Sequence, residues 1–267
     1  MTKMPTLEDL AEWFKDKRRV LVALSGGVDS ALVAYAAFET LQGNAIAVTA
    51  DYKTMAQEEL DSSRRVCSEI GIRQVFLEYD ELENENFVKN DSNRCFHCRM
   101  ALGGRLVELA GTYGAKCIVD GTNLDDLGDF RPGIEAMRQN SIRSPLVETN
   151  FTKKNTRDAA RLAGLTIHDR PSNSCLASRI PWGQRITSER LARIELGESI
   201  VKQVTKVRQV RVRDLDGSAK IEIEKQYVSK LGHGPMLADI TAKLKLIGFS
   251  SVSVDPDGYL PGKINVI

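Results

Sequence analysis

The run Ser25-Gly26-Gly27-Val28-Asp29-Ser30 constrains this chain more than any other feature. It follows an apolar stretch, Arg19 to Leu24, that reads as a buried parallel strand, and it opens a helical pattern from about Asp29 to Thr40. A strand, a glycine-rich turn and a helix in that order set backbone N–H groups and a helix N-terminus where an anion binds, and glycines let the backbone come close to it. The run lacks the lysine of a Walker loop and the spacing of a dinucleotide fingerprint, which argues against γ-phosphoryl transfer and NAD binding. A capped helix after a tight turn is the bland alternative.

Beyond this unit strands and helices keep alternating. Strands are expected at Ala45 to Thr49, Gln74 to Leu77 and Cys117 to Asp120, with helices at Gln57 to Ile70, Met100 to Tyr113 and Thr152 to Ala163. The alternation predicts an α/β fold, a parallel sheet with helices on both faces and ligands bound beyond the carboxyl ends of its strands. The stretch from Asp169 to Gly183, with Pro171, Pro181 and several Ser and Asn, reads as a linker. After it come a helix from about Ser188 to Lys202, strands Gln209 to Arg213 and Ala219 to Glu224, a helix from about Pro235 to Ile247 and a strand near Ser251 to Val254. The expected division is residues 1–170 as the nucleotide domain and residues 171–267 as a smaller C-terminal α+β domain.

With 267 residues, 42% of them hydrophobic, the chain can bury a sizeable core, and its formal net charge of +1 advertises no nucleic-acid or acidic-membrane partner. A small-molecule substrate is the default. The stretch from Thr6 to Arg19 mixes Glu8, Asp9, Glu12, Lys15 and Asp16 into an amphipathic pattern unlike a secretory signal, and no segment is apolar and long enough to span a bilayer. The expectation is a cytoplasmic protein without membrane contact.

Asp120-Gly121-Thr122-Asn123 ends another expected strand and is a second candidate for the nucleotide site; Asp125, Asp126 and Asp129 follow it as candidate metal ligands, with ordinary turn chemistry as the alternative. The five cysteines, an odd number, argue against a disulfide framework. Cys67 and Cys117 read as small buried hydrophobes. Cys95 and Cys98 form a Cys-x-x-Cys pair and Cys175 lies far downstream in a polar loop. Three thiolates leave one iron of a [4Fe-4S] cluster without a protein ligand. The same residues also suit structural zinc completed by His97 or His168, or a redox dithiol. Arg211 and Arg213 alternate with Val210 and Val212, so both guanidiniums leave one face of a strand, where they clamp a phosphate or are merely solvated.

At the glycine-rich loop the chain resembles the PP-loop ATP pyrophosphatases, with their adenine nucleotide alpha-hydrolase-like fold. The combination of Asp120 to Gly133 with Ser174-Cys175-Leu176-Ala177-Ser178-Arg179-Ile180-Pro181-Trp182-Gly183 resembles the LarE family over nearly the whole chain. That resemblance implies an ATP-dependent sulfur transferase that adenylates a carboxylate of pyridinium-3,5-biscarboxylic acid mononucleotide and converts it to a thiocarboxylate. It implies that Ser25, Gly26, Gly27, Asp29, Ser30, Gly121, Thr122 and Asn123 bind ATP and that Asp29 helps hold Mg²⁺. Cys175, Ser178, Arg179 and Glu198 then stand at the transfer site, Arg211 and Arg213 hold the substrate phosphate, and Trp182 forms a pocket wall or packs in the core. It further implies that Cys95, Cys98 and Cys175 carry a [4Fe-4S] cluster fed by sulfide or another sulfur donor, or that Cys175 gives up its own sulfur. Family members are homo-oligomers, hexamers among them. Rival readings are an Fe-S-dependent tRNA thiolase, against which the charge balance argues, an amidotransferase-like synthetase, which needs none of these cysteines, and an ATP-sensing module without hydrolysis.

Overall fold

The computed structural model describes residues 4–128, 132–232 and 234–260. In chain order they form α1 (Leu7–Phe14), β1 (Val20–Ala23), α2 (Val28–Leu41), β2 (Ala45–Asp51), α3 (Gln57–Ile70), β3 (Arg73–Glu78), α4 (Glu85–Val88), α5 (Arg94–Tyr113), β4 (Cys117–Val119), α6 (Pro132–Gln139), α7 (Pro145–Glu148), α8 (Lys153–Leu162), α9 (Ser188–Thr205), β5 (Val210–Leu215), β6 (Ser218–Ile223), α10 (Lys225–Leu231), α11 (Pro235–Leu246) and β7 (Ser251–Val254). Short 3₁₀ turns lie between them, one at Leu176–Arg179. The chain separates into two units. One comprises Met1–Asp80 and Asn93–Ser172; the other comprises Glu81–Ser92 and Asn173–Ile267.

Among the described residues of the first unit, four parallel strands stand in the order β3-β2-β1-β4. Alternate residues of these short apolar runs face opposite ways. Val20, Val22, Ala45 and Ala47 pack with Leu10 and Phe14 of α1, with Ala31 to Ala34 of α2 and with Ala159 and Ala160 of α8. Leu21, Ile46, Val48 and Ile118 pack with Leu102 and Leu106 of α5 and Met137 of α6 on the other face. The sheet is therefore an α/β layer covered on both sides, and each such aliphatic side chain contributes roughly 1.5–3 kcal/mol of burial. The order also fixes where a ligand goes. β1 pairs with β2 on one side and β4 on the other, a topological switch point, and the crevice outside the carboxyl ends of β1 and β4 is where open α/β sheets bind ligands.

The second unit holds a sheet of order β5-β6-β7, antiparallel between β5 and β6 and parallel between β6 and β7. Val210, Val212, Ile221 and Ile223 close on Val201 of α9 and on Ile240, Leu244 and Phe249 of the α11 region. Residues 81–92 belong here for an identifiable reason. The buried Asn90 carboxamide donates to the carbonyls of Ile180, Pro181 and Gln184 at 3.4, 2.8 and 2.8 Å, while the Asn90 and Val88 carbonyls accept the N–H groups of Gly183 and Ile186.

The helix expected from Met100 begins a turn and a half earlier, at Arg94, so Cys95 and Cys98 sit on a helix rather than ahead of one. Its opening turns, Arg94 to Arg99, are polar except for Phe96 and a half-buried cysteine, so hydrophobic periodicity does not reveal them. Among the described residues no helix is long and apolar enough to cross a membrane.

Candidate functional site

The loop after β1 is built to leave N–H groups unoccupied by side chains. Gly27 is the N-cap of α2 and has no side-chain cap, so the first N–H groups of a 14-residue helix keep their hydrogen-bonding capacity for another partner. Gly26 has φ +79, and a Cβ there would come within 2.6 Å of the Glu59 carbonyl oxygen. Its own carbonyl is turned into the protein, accepting from Ser62 Oγ at 2.9 Å and from the Arg170 guanidinium at 3.0 Å. Ser30 ties the turn together, its hydroxyl donating to the Gly27 carbonyl at 3.1 Å and accepting from the Ser25 N–H at 3.2 Å. This is a cradle shaped for a phosphate chain.

The turn after β4 packs against that cradle. A Cβ on Gly121 would stand 2.5 Å from Ser30 N and 2.8 Å from Ser30 Cα. Asp120 accepts from Ser144 Oγ at 2.7 Å and from the Thr122 N–H and hydroxyl at 3.1 and 2.9 Å. Burial nevertheless pushes its carboxyl above the usual carboxylate range, against those hydrogen bonds and the nearby Arg99. Burial works against the Arg99 charge, but Cys98, Tyr52, Asp120 and Cys95 outweigh it and hold the guanidinium above its ordinary value. Asn123 Nδ2 donates to Asp29 Oδ1 at 3.2 Å, and Lys153 Nζ pairs with Asp29 Oδ2. A carboxylate with two such partners still has lone pairs for a cation, so Asp29 is compatible with Mg²⁺. Asp125 and Asp126 carry structural hydrogen bonds instead: Asp125 accepts the Lys153 N–H at 2.8 Å and Asp126 the Asn123 N–H at 3.0 Å. Asp129 lies outside the described residues.

Arg170 is the brace of the phosphate loop, reaching Gly26 with one nitrogen and Glu59 Oε1 with another at 2.6 Å. Arg170→Ala is expected to weaken ATP binding about tenfold, the worth of one charged hydrogen bond. Calorimetric titration checks this, and unchanged affinity would mean that Ser62 alone holds the Gly26 carbonyl.

Cys95 and Cys98, one turn apart at the start of α5, share a helix face; Cys95 is exposed, Cys98 half-buried, and the Arg94 guanidinium lies 3.8 Å from Cys95 Sγ. This cysteine pair with arginines beside it suits an anionic metal-sulfur group, yet it supplies two ligands only. Cys175 is half-buried in the second unit. Within the first unit the described residues add no third His, Cys, Asp or Glu to the Cys95–Cys98 pair. His97 stacks edge-on against Phe96, and His168 Nδ1 lies 2.9 Å from the Leu165 carbonyl. Cys67 is a core residue whose thiol burial pushes up to about 12, and Cys117 is half-buried in β4, with its thiol also raised by burial.

In the second unit Arg179 organises the Cys175 loop. It is fully buried, and Glu198 accepts from its Nε at 2.8 Å and from one terminal nitrogen at 3.2 Å. The other terminal nitrogen reaches the carbonyls of Ser174 and Cys175 and the hydroxyls of Ser174 and Ser178, at 2.7 to 3.0 Å. Nη2 also reaches Asn173 Oδ1 at 2.9 Å. All its donors are spent on protein. Arg179, expected at the transfer site, is in this conformation the clasp of the loop that carries Cys175. Burial lowers its hold on the proton, but the Glu198 carboxylate outweighs burial and keeps the charge above its ordinary value.

Ser178 shares this network, its hydroxyl 2.8 Å from Ser174 Oγ. Arg213 donates to the Ser178 carbonyl at 2.9 Å and to Glu222 Oε2 at 2.6 Å. Arg211 lies over the Tyr259 ring, 5.1 Å from its centroid, and is pushed below the ordinary arginine value first by burial and then by the Arg179 charge. Arg179 and Arg213 both disfavour the Arg211 charge, so an anionic ligand is welcome beside it. Trp182 is half-buried.

Periodicity and motif spacing do not point to Arg170, Arg99, Glu59, Glu222 or Asn90, whose partners only the fold brings to them. Lys153 leaves a trace: Lys153 and Lys154 open α8, where the helix dipole favours acids.

An uncapped, glycine-lined helix N-terminus at the switch point of a parallel sheet defines a nucleotide-binding α/β protein that grips a polyphosphate by its backbone. The family model of asparagine synthase matches residues 10–89, the segment holding that loop, and the chain belongs to the PP-loop ATP pyrophosphatase family. It is 37% identical over 259 residues to the uncharacterised protein slr1717 of Synechocystis sp., covering 97% of this chain and 96% of that one. It is 30% identical over 251 residues, 94% of either chain, to the uncharacterised protein MJ0830 of Methanocaldococcus jannaschii. Pyridinium-3,5-bisthiocarboxylic acid mononucleotide synthase of Lactiplantibacillus plantarum is 29% identical over 253 residues, 94% of this chain and 90% of that one.

Proposed function

We propose that this protein is a cytoplasmic ATP-dependent sulfur transferase that adenylates a carboxylate of a pyridinium mononucleotide, pyridinium-3,5-biscarboxylic acid mononucleotide or a close analogue, and replaces its oxygen by sulfur. The observation that carries the reading is the clasped loop: Arg179 and Glu198, both buried, are committed to presenting Cys175 and Ser178 beside two further arginines. A plain ATP hydrolase or ammonia-using synthetase has no use for it. The relative that makes a bisthiocarboxylic mononucleotide supports the same reading.

In the first half-reaction a substrate carboxylate oxygen bonds to the α-phosphorus of ATP, and the bond to the β-phosphate oxygen breaks with its electron pair leaving on pyrophosphate. The backbone of Gly26, Gly27 and Ser30 holds that leaving group. In the second, a sulfur nucleophile attacks the acyl carbon and AMP departs, a far better leaving group than oxide. Arg211 and Arg213 hold the anionic substrate, and the Arg179 clasp fixes the Cys175 loop.

For the sulfur source the reading is a [4Fe-4S] cluster with Cys95, Cys98 and Cys175 as ligands; when bound it supplies an open iron position that carries sulfide. The clasp on the Cys175 loop also serves a second reading, in which Cys175 surrenders its own sulfur once: its thiolate displaces AMP to form a thioester, and loss of the Cys175 Cα proton with cleavage of the Cβ–Sγ bond releases the thiocarboxylate and leaves dehydroalanine.

Protein prepared without oxygen, incubated with ATP, Mg²⁺ and the biscarboxylic mononucleotide, is expected to release AMP and pyrophosphate only when the acceptor is present and to yield a thiocarboxylate. Cys175→Ala is expected to form the adenylate and stop there. Acceptor-independent AMP release, or full product from Cys175→Ala, would sink the proposal. Iron bound by the wild type and lost in Cys95→Ala, with repeated turnovers on added sulfide, identifies the cluster; a single turnover with loss of sulfur from Cys175 identifies the sacrificial route.

A further inference from the structure

We propose that Tyr259 is a positioning residue for substrate binding: the face of its ring holds the Arg211 guanidinium in place against its positive neighbours, where it meets the phosphate of the substrate. This rests on the reading that Arg211 grips an anionic substrate. The guanidinium carbon of Arg211 lies 5.1 Å from the centroid of the Tyr259 ring, within the range in which an aromatic face attracts a cation.

Arg211 needs such a support. It is 4% exposed, and burial disfavours its charge first, then the Arg179 guanidinium, with Arg213 adding to both. Glu198 works the other way, but its oxygens already accept from Arg179 and from the Val212 N–H. Glu222 accepts from Arg213. One Arg211 nitrogen donates to the Val210 carbonyl at 2.8 Å, which ties the guanidinium back to its own strand. A carboxylate in the place of the ring would neutralise Arg211 and close it to an anion. A ring face attracts the cation and leaves its charge in force. With only two side-chain torsions, a tyrosine also gives this support at little cost in conformational entropy.

The segment that carries the ring is fastened to β6. Beyond β7 the chain goes on bonding to that strand, the Ile221 carbonyl accepting the Asp255 N–H and the Ile223 carbonyl the Tyr259 N–H, both at 2.8 Å. Between these two bonds Asp255 closes the turn, its Oδ1 accepting the Asp257 N–H at 2.9 Å and its carbonyl the Gly258 N–H at 3.1 Å. Lys225 Nζ donates to the Pro256 carbonyl at 2.8 Å. Gly258 has φ +73, and a Cβ there would meet the Ile223 carbonyl oxygen at 2.6 Å and the Lys225 N and Cα at 3.1 Å. Only glycine lets the turn lie this close. The bond to Ile223 then sets Tyr259 one residue along from Glu222, the register partner of Arg211. The role belongs to the ring: the hydroxyl takes no part, and no proton or covalent bond changes hands.

The test is calorimetric titration of the whole chain with inorganic phosphate, its nucleotide loop first filled with Mg²⁺ and a non-hydrolysable ATP analogue. Wild type is compared with Tyr259→Phe, Tyr259→Leu, Arg211→Ala and the pair Arg211→Ala with Tyr259→Leu. Tyr259→Leu is expected to weaken phosphate binding about five- to thirtyfold, the worth of a desolvated cation–π contact. Tyr259→Phe is expected to stay within about twofold of wild type, and Tyr259→Leu to add no further loss once Arg211 is alanine. Wild-type affinity in Tyr259→Leu, beside a loss in Arg211→Ala, would overturn this role alone. So would a loss in Tyr259→Phe equal to that in Tyr259→Leu. A further loss in the paired variant would mark a merely structural residue and overturn it too. Phosphate binding that Arg211→Ala leaves unchanged would overturn the substrate-binding reading, and this role with it. Failed sulfur transfer in a protein that shows the expected phosphate series would overturn the proposed reaction and leave the role of Tyr259 intact.

Discussion

Gly121→Ala is expected to weaken ATP binding by at least about a hundredfold, as misplacement of a binding group by an ångström does, and to destabilise the first unit by about 1–3 kcal/mol. The added methyl group would meet Ser30 N at 2.5 Å, Ser30 Cα at 2.8 Å and the Asp29 carbonyl carbon at 3.0 Å. These are backbone atoms of the first turn of α2, and no rotamer change relieves the clash. Nor can the helix retreat, since Val28, Ala31, Leu32, Val33 and Ala34 are packed in the core. The strain therefore falls on the turn whose N–H groups hold the phosphates. Gly27→Ala is the control: its Cβ would meet only Ser25 Oγ at 3.5 Å, and its stability is expected to stay within about 0.5 kcal/mol of wild type. Urea denaturation and ATP titration of both variants decide the matter. Wild-type affinity in Gly121→Ala would show that the turn after β4 does not shape the cradle.

Glu198→Ala is expected to cost about 3–5 kcal/mol of stability, the loss seen when one partner of a buried ion pair is removed. Arg179 is fully buried and Glu198 is its only carboxylate partner among the described residues. Glu198 Oε1 also accepts the Val212 N–H at 3.2 Å, so the same substitution unties β5 from α9. Replacing both residues together, Arg179→Met with Glu198→Leu, is expected to cost less than Glu198→Ala, because no charge is left stranded in the interior. Both sets of variants are expected to raise the alkylation rate of Cys175, whose carbonyl loses its clasp. If Glu198→Ala melts within a degree or two of wild type, Arg179 finds other compensation and is not the organising charge of the loop.

The α/β layer was legible because its signals are local. Apolar runs of strand length, glycine after β1 and helical spacing after it all lie within a few residues of one another, and the switch point follows from their order. The polar turns of α5 from Arg94 to Arg99 carry no apolar stripe, so the position of Cys95 and Cys98 on a helix stayed hidden. Long-range partners were hidden more completely. Arg179 and Glu198 are 19 residues apart, Arg170 and Gly26 144 apart, and nothing in either neighbourhood names the other. Arg179 was expected at the transfer site, but nothing in the sequence shows that it is fully buried and fastens the Cys175 loop. A sequence displays which groups a residue carries but not which of them the fold has already used.

The way the second unit is assembled has a consequence for its making. Its strands and α9 lie in the C-terminal third of the chain, while Asn90, which satisfies carbonyls at Ile180, Pro181 and Gln184, is synthesised some ninety residues before them. During synthesis this asparagine must wait, solvated, until the later residues emerge, and a fragment beginning at Asn173 is born without it. Such a fragment is no independent module that could be moved onto another protein. Its transplantable form carries residues 81–92 as a second strand of inheritance, joined by a linker or supplied as a separate peptide.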